Sequence, residues 1–337
     1  MESCSATELG APLALRRSKR VVPTGAAEPV NVPILSVRHI TTYRYRQPVG
    51  LGEHRIMFRP RDSYDQRLLA ATLKITPEPS SLRWLHDVFG NCVAVATFQG
   101  RASSLIFDCS ITLDHTPELA PEFPIAPHAA FYPFGYGADD MPDLSRSIER
   151  EHRDPKNEVD AWARSFVPPA GRIGTQELLA DMTRHVRRNF AYLARSEKGV
   201  QDPVTTLRLK RGSCRDFAVL MIEAVRALGM AARFVSGYLY NPRGDRNRHV
   251  GGGSTHAWVQ VYLPGAGWIE FDPTNGIVGN RDLIRVAVAR DPRQAVPLHG
   301  SFFGFPADDL GMSVSVEVDE VEPGSIEQRT PDPILVR

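Results

Sequence analysis

Short apolar runs set the pattern of the first third of the chain. Residues 34–45 are rich in β-branched and aromatic side chains. Runs at 68–75, 92–98 and 104–113 come next, parted by Pro, Gly and Asn turn signals. Phe89-Gly90-Asn91, between Leu85 and Val93, predicts a hairpin turn. Several short strands with little helix predict a β-sandwich-like N-terminal domain over 33–116. Residues 117–145 differ. Pro117, Pro121, Pro124, Pro127, Pro133 and Pro142 alternate with Phe123, Phe131, Tyr132, Phe134 and Tyr136. Prolines this dense exclude regular helix and central strand, and the aromatics predict a linker that packs on a domain surface.

Beyond 146 the period changes. Val159, Trp162 and Phe166 fall at helical spacing. Leu178, Leu179, Met182, Val186 and Phe190 do so more strongly, with Thr175 as an expected N-cap. A helix is predicted around 214–228, strands near 231–240, 256–263 and 268–272, and a last alternating run at 313–318. Helices followed by an antiparallel meander make an α+β core, expected over 146–290, with a C-terminal strand and tail over 291–337.

Composition narrows the class. A chain of 337 residues suits two domains. With 42% hydrophobic residues, 23% charged residues and a formal net charge of +1, nothing marks a nucleic acid or a membrane surface as the main partner. The basic stretch Arg16-Arg17-Ser18-Lys19-Arg20 reads as a solvated tail, because no apolar segment long enough for a signal peptide comes after it. No run approaches the ~18 apolar residues of a membrane span. The expectation is a cytoplasmic protein with a disordered arm over 1–32. The four cysteines are Cys4, Cys92, Cys109 and Cys214. None forms a C-x-x-C pair or has structural-zinc spacing. Cys92 and Cys109 lie in strand-like runs as packing residues, with a disulfide between them left open.

Arg211-Gly212-Ser213-Cys214-Arg215-Asp216-Phe217 opens the best helix in the chain. Ser213 is a natural N-cap and Asp216 stands at N3, an approximate capping box. Val219, Leu220, Ile222, Val225 and Leu228 continue the apolar face, and Gly229 ends it. Cys214 therefore takes the first helical position, where free N–H groups and the helix dipole stabilise a thiolate or an oxyanion. Alone, such a cysteine is more often a small packing residue.

Ser254 to Leu263 alternates at period two, so His256, Trp258, Gln260 and Tyr262 share a face. Residues 264–267 make a turn, and Trp268-Ile269-Glu270-Phe271-Asp272 returns. Register decides whether a site can form. If Leu263 pairs with Trp268, His256 and Asp272 point to opposite faces. If Trp258 faces Asp272, they become diagonal neighbours about 7 Å apart between Cα atoms. A thiol needs a base, and the base needs a partner that fixes its tautomer. Cys214, His256 and Asp272 supply those roles only in the second register. Singly, His256 reads as a core histidine and Asp272 as a strand-ending turn residue.

These blocks resemble the transglutaminase-like superfamily, whose fold is related to papain-type cysteine proteases. The stretches that carry the resemblance are 211–216, 228–238 (Leu-Gly-Met-Ala-Ala-Arg-Phe-Val-Ser-Gly-Tyr), Thr255-His256-Ala257-Trp258 and Gly267-Trp268-Ile269-Glu270-Phe271-Asp272-Pro273-Thr274. More weakly, residues 43–49 and 86–91 resemble the β-rich domain that precedes this core in bacterial transglutaminase-like proteins. The resemblance implies Cys214 as nucleophile, His256 as base and then acid, and Asp272 as the orienting carboxylate. It implies attack on a carboxamide or peptide carbonyl, then passage of the thioester to water or an amine. The Cys214 N–H is expected in the oxyanion hole, with Tyr192 or Gln201 as a second donor. Gly251-Gly252-Gly253 suggests a mobile loop or close substrate approach. Arg243, Arg246 and Arg248 read as a solvated loop or contacts to an acidic substrate, and Trp258 as site wall or plain core.

Hydrolysis is the default, because cross-linking must keep a thioester from about 55 M water. Protein cross-linking and a non-catalytic binding module on the same fold are the alternatives. A metal site drawn from Cys214, His256, His249 or His299 fits no defensible ligand spacing. The expected partner is a protein or peptide substrate, with no cofactor, metal, nucleic acid or membrane.

Overall fold

The computed structural model describes residues 33–116, 123–194, 199–242 and 249–321. The expected arm over 1–32, the linker's start at 117–122, Arg243, Arg246 and Arg248, and the tail beyond 321 lie outside those residues.

The chain is α+β, and its first region is strand-rich. β1 (Ile34–Ile56), β2 (Gln66–Thr76), β3 (Ser81–His86), β4 (Cys92–Thr97) and β5 (Arg101–His115) form a sheet in the order β2-β5-β1-β4-β3. β1 bends. Up to Arg44 it pairs with β5 residue by residue, the register breaks between Arg44 and Val49, and from His54 to Ile56 it pairs with β4. Pro48, which has no N–H to give a ladder, falls in that break. The expected hairpin turn is present, with Gly90 at φ +74° between β3 and β4. Cys92 and Cys109 are free thiols, so no disulfide joins them. Burial pushes the Cys109 thiol up to about 12, which leaves it inert.

The second region alternates short helices with small strands. β6 (Phe131–Tyr132), α1 (Met141–Ile148), α2 (Glu158–Arg164), β7 (Ile173–Gly174) and α3 (Thr175–Asn189) come first. β8 (Ala191–Tyr192), α4 (Pro203–Leu209), β9 (Arg211–Gly212) and α5 (Cys214–Ala227) come after them. The antiparallel sheet is last, from β10 (Ala232–Leu239), β11 (His256–Leu263), β12 (Gly267–Asp272), β13 (Ile277–Val278) and β14 (Leu283–Ala289), ordered β13-β12-β11-β10-β14. α5 lies across β10 and β11. Phe217, Leu220 and Met221 pack there with Phe234, Val259 and Val261, all essentially buried. Each such side chain stabilises the layer by about 1.5–3 kcal/mol. Gly229, at φ +80°, stops α5 in the left-handed conformation that an L side chain resists.

Thr175 is not the cap of α3. It is the first helical residue after Gly174, and its hydroxyl donates to the Ala129 carbonyl at 2.6 Å. α1 and α4 are elements that hydrophobic spacing does not predict, since α1 buries only Leu144 and α4 only Pro203 and Thr206. α1 begins within the proline-rich stretch expected to exclude helix, because Pro142 sits in its first turn, where no N–H is needed. The aromatics of 123–136 do pack on the core. Phe123, Tyr132 and Phe134 lie against it, and the Tyr136 hydroxyl accepts from Ala231 N at 2.8 Å and donates to Tyr262 O at 3.0 Å.

The end of the chain returns to the beginning. β15 (Leu298–Phe303) pairs with the far half of β1, and β16 (Asp309–Val321) pairs with the near half, from Ile34↔Val321 to Tyr45↔Asp309. The 313–318 run therefore belongs to the first sheet and not to the meander.

Buried amides join the two regions along the edge strand β14. Gln66 donates to Arg285 O at 2.8 Å and accepts from Arg285 N at 2.9 Å. Asn91 donates to Val288 O at 2.7 Å and accepts from Val288 N at 2.9 Å. Each side chain replaces a missing neighbour strand, so backbone groups that burial would otherwise strand are satisfied. Arg285 adds ion pairs to Asp65 at 2.9 Å and Glu270 at 2.5 Å, and His39 meets the Tyr238 hydroxyl at 2.9 Å.

Candidate active site

Cys214 begins α5 as expected. Ser213 has the extended backbone of an N-cap (ψ 174°), and its N–H and hydroxyl both donate to Asp216, at 2.8 and 2.9 Å. Asp216 also accepts from Gln201 N at 2.6 Å, so its carboxylate is a cap and a tether. Gly212 permits this. A Cβ there would stand 2.8 Å from the Cβ of Asp216. The first helical bond runs from Phe217 N to Ser213 O, and the Cys214 N–H has no acceptor among the described residues.

Register is the decisive feature of the return strand. Leu263 pairs with Gly267, Val261 with Ile269 and Val259 with Phe271, which sets Trp258 opposite Asp272. The turn is three residues, Pro264-Gly265-Ala266. Gly265, at φ +87°, takes a conformation and a closeness to Pro124 and Ala126 that a Cβ would forbid. This is the register in which His256 and Asp272 share a face. His256 Nε2 and Asp272 Oδ2 are 2.8 Å apart.

All three side chains are sequestered. Cys214 is 8% exposed, His256 1% and Asp272 0%. Every partner of the Asp272 carboxylate is a donor. Oδ2 takes the His256 imidazole and Asn275 Nδ2, each at 2.8 Å. Oδ1 takes Thr274 N at 2.8 Å and Asn275 N at 3.4 Å. The proton of His256 therefore sits on Nε2, and Nδ1 is left buried without a hydrogen-bond partner among the described residues. Burial disfavours the imidazolium, but the Asp272 charge and hydrogen bond, helped by the nearby Cys214, outweigh it and raise His256 to about 10. Burial pushes Asp272 the other way, yet the His256 charge and the four donors hold it below the usual carboxylate range. Such an arrangement can take a proton from a thiol at Nδ1 and hold the resulting charge.

Tyr192 reaches this centre. β8 pairs in parallel with β9, Ala191↔Arg211 and Tyr192↔Gly212, so the tyrosine emerges beside the start of α5. A Cβ built on Gly251 would lie 3.5 Å from the Tyr192 hydroxyl and 3.1 Å from His256 Nδ1. Burial, then the proximity of Cys214 and Asp272, pushes the Tyr192 phenol up to about 12, so it stays a donor. The Gln201 amide is engaged elsewhere, donating to Thr206 Oγ1 at 3.0 Å and Arg211 O at 3.1 Å. Trp258 is fully buried, its ring stacked behind His256 with centroids 6.0 Å apart, so it is core and backing wall together. His249 sits on Asp282 at 2.9 Å, and among the described residues no three His, Cys, Asp or Glu side chains cluster as a metal site would require. Hydrophobic periodicity does not single out Asn275. An amide three residues after Asp272, across the Asp272-Pro273 turn, is the signal that could have found it.

Both regions of the chain are similar to known proteins. Residues 35–114 match the bacterial transglutaminase-like N-terminal region, and residues 168–273 match the transglutaminase-like superfamily. An uncharacterised protein of Mycobacterium tuberculosis is 29% identical over 299 residues, covering 84% of this chain and 91% of its own. A protein-glutamine gamma-glutamyltransferase of Pseudomonas aeruginosa is 35% identical over 99 residues, which is 27% of this chain and 14% of that protein. A Cytophaga hutchinsonii crystal structure, presented as a candidate cysteine protease, has the same fold. Its TM-score is 0.62 at 20% identity, covering 87% of this chain and 92% of that one.

Proposed function

From a chain that belongs to the transglutaminase-like superfamily, we infer a thiol enzyme with Cys214 as nucleophile, His256 as proton carrier and Asp272 as orienting carboxylate. The observation that carries this reading is the buried His256–Asp272 pair at 2.8 Å. Its orientation leaves Nδ1 as the free nitrogen, beside a cysteine that opens a helix.

The chemistry rests on that arrangement. His256 Nδ1 takes the thiol proton, and the Cys214 sulfur bonds to a carboxamide or peptide carbonyl carbon. The carbonyl oxygen gains the charge, stabilised by the free Cys214 N–H and the Tyr192 hydroxyl. The C–N bond breaks as His256 returns its proton to the departing ammonia or amine, leaving a thioester. Water then attacks, gives its proton to His256, and the C–S bond breaks to release a carboxylic acid and the thiol. We favour water over an amine because a dedicated amine site is an added requirement. The partial likeness to a glutamyltransferase keeps acyl transfer as the second reading.

The substrate is a protein or peptide in this proposal, and the location is cytoplasmic, in keeping with three free thiols among the described residues. No helix among those residues is long and apolar enough to cross a membrane. The test incubates the protein and Cys214→Ala with casein and glutamine peptides, with and without a fluorescent primary amine. New amino termini or ammonia release, lost in the variant, support hydrolysis. Preferential amine incorporation moves the assignment to acyl transfer. Absence of all three, with Cys214 alkylating like a free thiol, leaves the non-catalytic module.

A further inference from the structure

We propose that Asn275 is a positioning residue that ties the glycine loop to the Asp272 carboxylate; the proposal rests on the Cys214–His256–Asp272 reading and deepens it. The Asn275 amide faces two ways. Its Nδ2 donates to Asp272 Oδ2 at 2.8 Å, on the same oxygen that receives His256. The same amide pairs with the backbone of Val250, accepting from Val250 N at 2.7 Å and donating to Val250 O at 3.2 Å. One side chain thus holds both the acceptor of the imidazole proton and the start of the loop.

The loop it holds lies on the reacting atoms. Gly251, at φ +91°, is the residue whose added Cβ would press on His256 Nδ1 and the Tyr192 hydroxyl. Its flanks are pinned as well. His249 N donates to Asn241 Oδ1 at 2.9 Å, and Val316 N of β16 donates to Gly253 O at 3.1 Å. The first sheet therefore reaches the site through its last strand. The groups facing His256 and Asp272 are the Cys214 thiol, the Tyr192 phenol and the neutral Asn275 amide. Asn275 is the member of this set that bonds both the loop, at Val250, and the carboxylate. A charge-assisted donor fixes the direction of Oδ2, and direction sets the tautomer of His256.

The experiment compares wild type with Asn275→Ala and Asn275→Asp. It tracks iodoacetamide labelling of Cys214 from pH 4 to 9 and hydrogen exchange of the 249–255 segment. Asn275→Ala is expected to slow labelling at pH 6 about tenfold, the effect of one unit of thiolate stabilisation lost once the imidazolium is no longer aimed at the sulfur. It should also speed exchange of the segment. Asn275→Asp keeps the acceptor for Val250 N. Below the pKa of the new carboxyl pair it can donate a proton to Asp272 as the amide does. It should therefore label at nearly the wild-type rate at pH 5, fall about tenfold behind by pH 7, and leave exchange of the segment slow. That low-pH rescue is what a merely structural role would not produce, and it decides the matter should the alanine variant not fold. Wild type labelling no faster than a free cysteine sinks the underlying enzyme reading. Fast wild-type labelling with overlapping variant profiles overturns the role of Asn275 and leaves the enzyme reading standing. Unchanged exchange in Asn275→Ala overturns the tie to the loop.

Discussion

Asp272→Asn is the substitution whose outcome the geometry specifies most closely. The side chains are nearly isosteric, but all four groups around the carboxylate are donors. An amide keeps one acceptor. Two backbone N–H groups, from Thr274 and Asn275, claim it, so the NH₂ turns toward His256 Nε2. The imidazole must then accept there and carry its proton on Nδ1, the nitrogen meant to receive the thiol proton. The charge that opposed burial is also gone, so His256, now raised to about 10, should fall below its ordinary value. At pH 6 an unassisted thiol with pKa ~8.5 is about 0.3% thiolate. Full ionisation would be worth a few hundredfold. Because nucleophilicity falls with pKa, we expect a labelling ratio of about 10–100 between wild type and variant.

The two should converge above pH 9. Stability gives a second signature. A raised histidine stabilises the fold fully below ~6.5 and loses that as pH climbs through about 10. A depressed aspartate stabilises it above ~3.9 and loses that as acid protonates it. The gap in stability should thus peak between about pH 4 and 6.5, at roughly 3 kcal/mol, the usual cost of stripping one partner from a buried pair. Peptide-mapped alkylation and melting curves across pH measure both. Identical labelling profiles for wild type and variant, each with a midpoint near that of free cysteine, would refute the argument.

Other contacts set the remaining expectations. Tyr192→Phe should lower kcat about 100- to 1,000-fold with little change in KM in steady-state peptide assays. Gln201→Ala, whose amide is committed to Thr206 and Arg211, should leave kcat within about twofold on steady-state peptide assays. Asn91→Ala strips Val288 of both side-chain hydrogen bonds and should cost about 1–3 kcal/mol in urea unfolding. If that loss is absent, the bridging role of the amide is wrong. Gly237→Ala sets a Cβ 2.0 Å from Ile284 O and 2.7 Å from the Trp258 ring. It should cost more than about 4 kcal/mol, and a soluble variant with a wild-type melting temperature would contradict the packing.

The readable parts of this chain were those encoded locally. The helix from Cys214 announced itself through its cap, its apolar face and Gly229, and the hairpin at Gly90 through its turn chemistry. The parity of the 256–272 hairpin did not. A one-residue change in the turn flips every side chain, and Gly265 and Gly267 both hold positive φ, so either loop length was open. The site residues could be named, but the turn that sets their register packs on a distant segment, with Ala126 N donating to Pro264 O at 2.7 Å across 138 positions. The pairing of β16 with β1 and the amide bridges of Gln66 and Asn91 to β14 escaped for the same reason, being decided by partners far along the chain. Asn275, by contrast, lies three residues from Asp272 and was missed because hydrophobic periodicity does not register a turn amide.

The closure of β1 by β16 has a consequence during synthesis. Ile34 leaves the ribosome early, yet its partner Val321 is among the last of the described residues to be made. At ~5–20 residues per second, that strand waits on the order of tens of seconds with one edge unpaired. Leu35 and Val37 alternate there with polar Ser36 and Arg38. The charge on Arg38, exposed and paired with Asp108 in the finished fold, is the kind that keeps a waiting edge from pairing with another nascent chain. The last of the described strands also holds Gly253, in the loop whose Gly251 lies against His256. A chain still on the ribosome therefore lacks one support of its own reactive centre, and Cys214 acquires its full setting only once translation has passed beyond Val316.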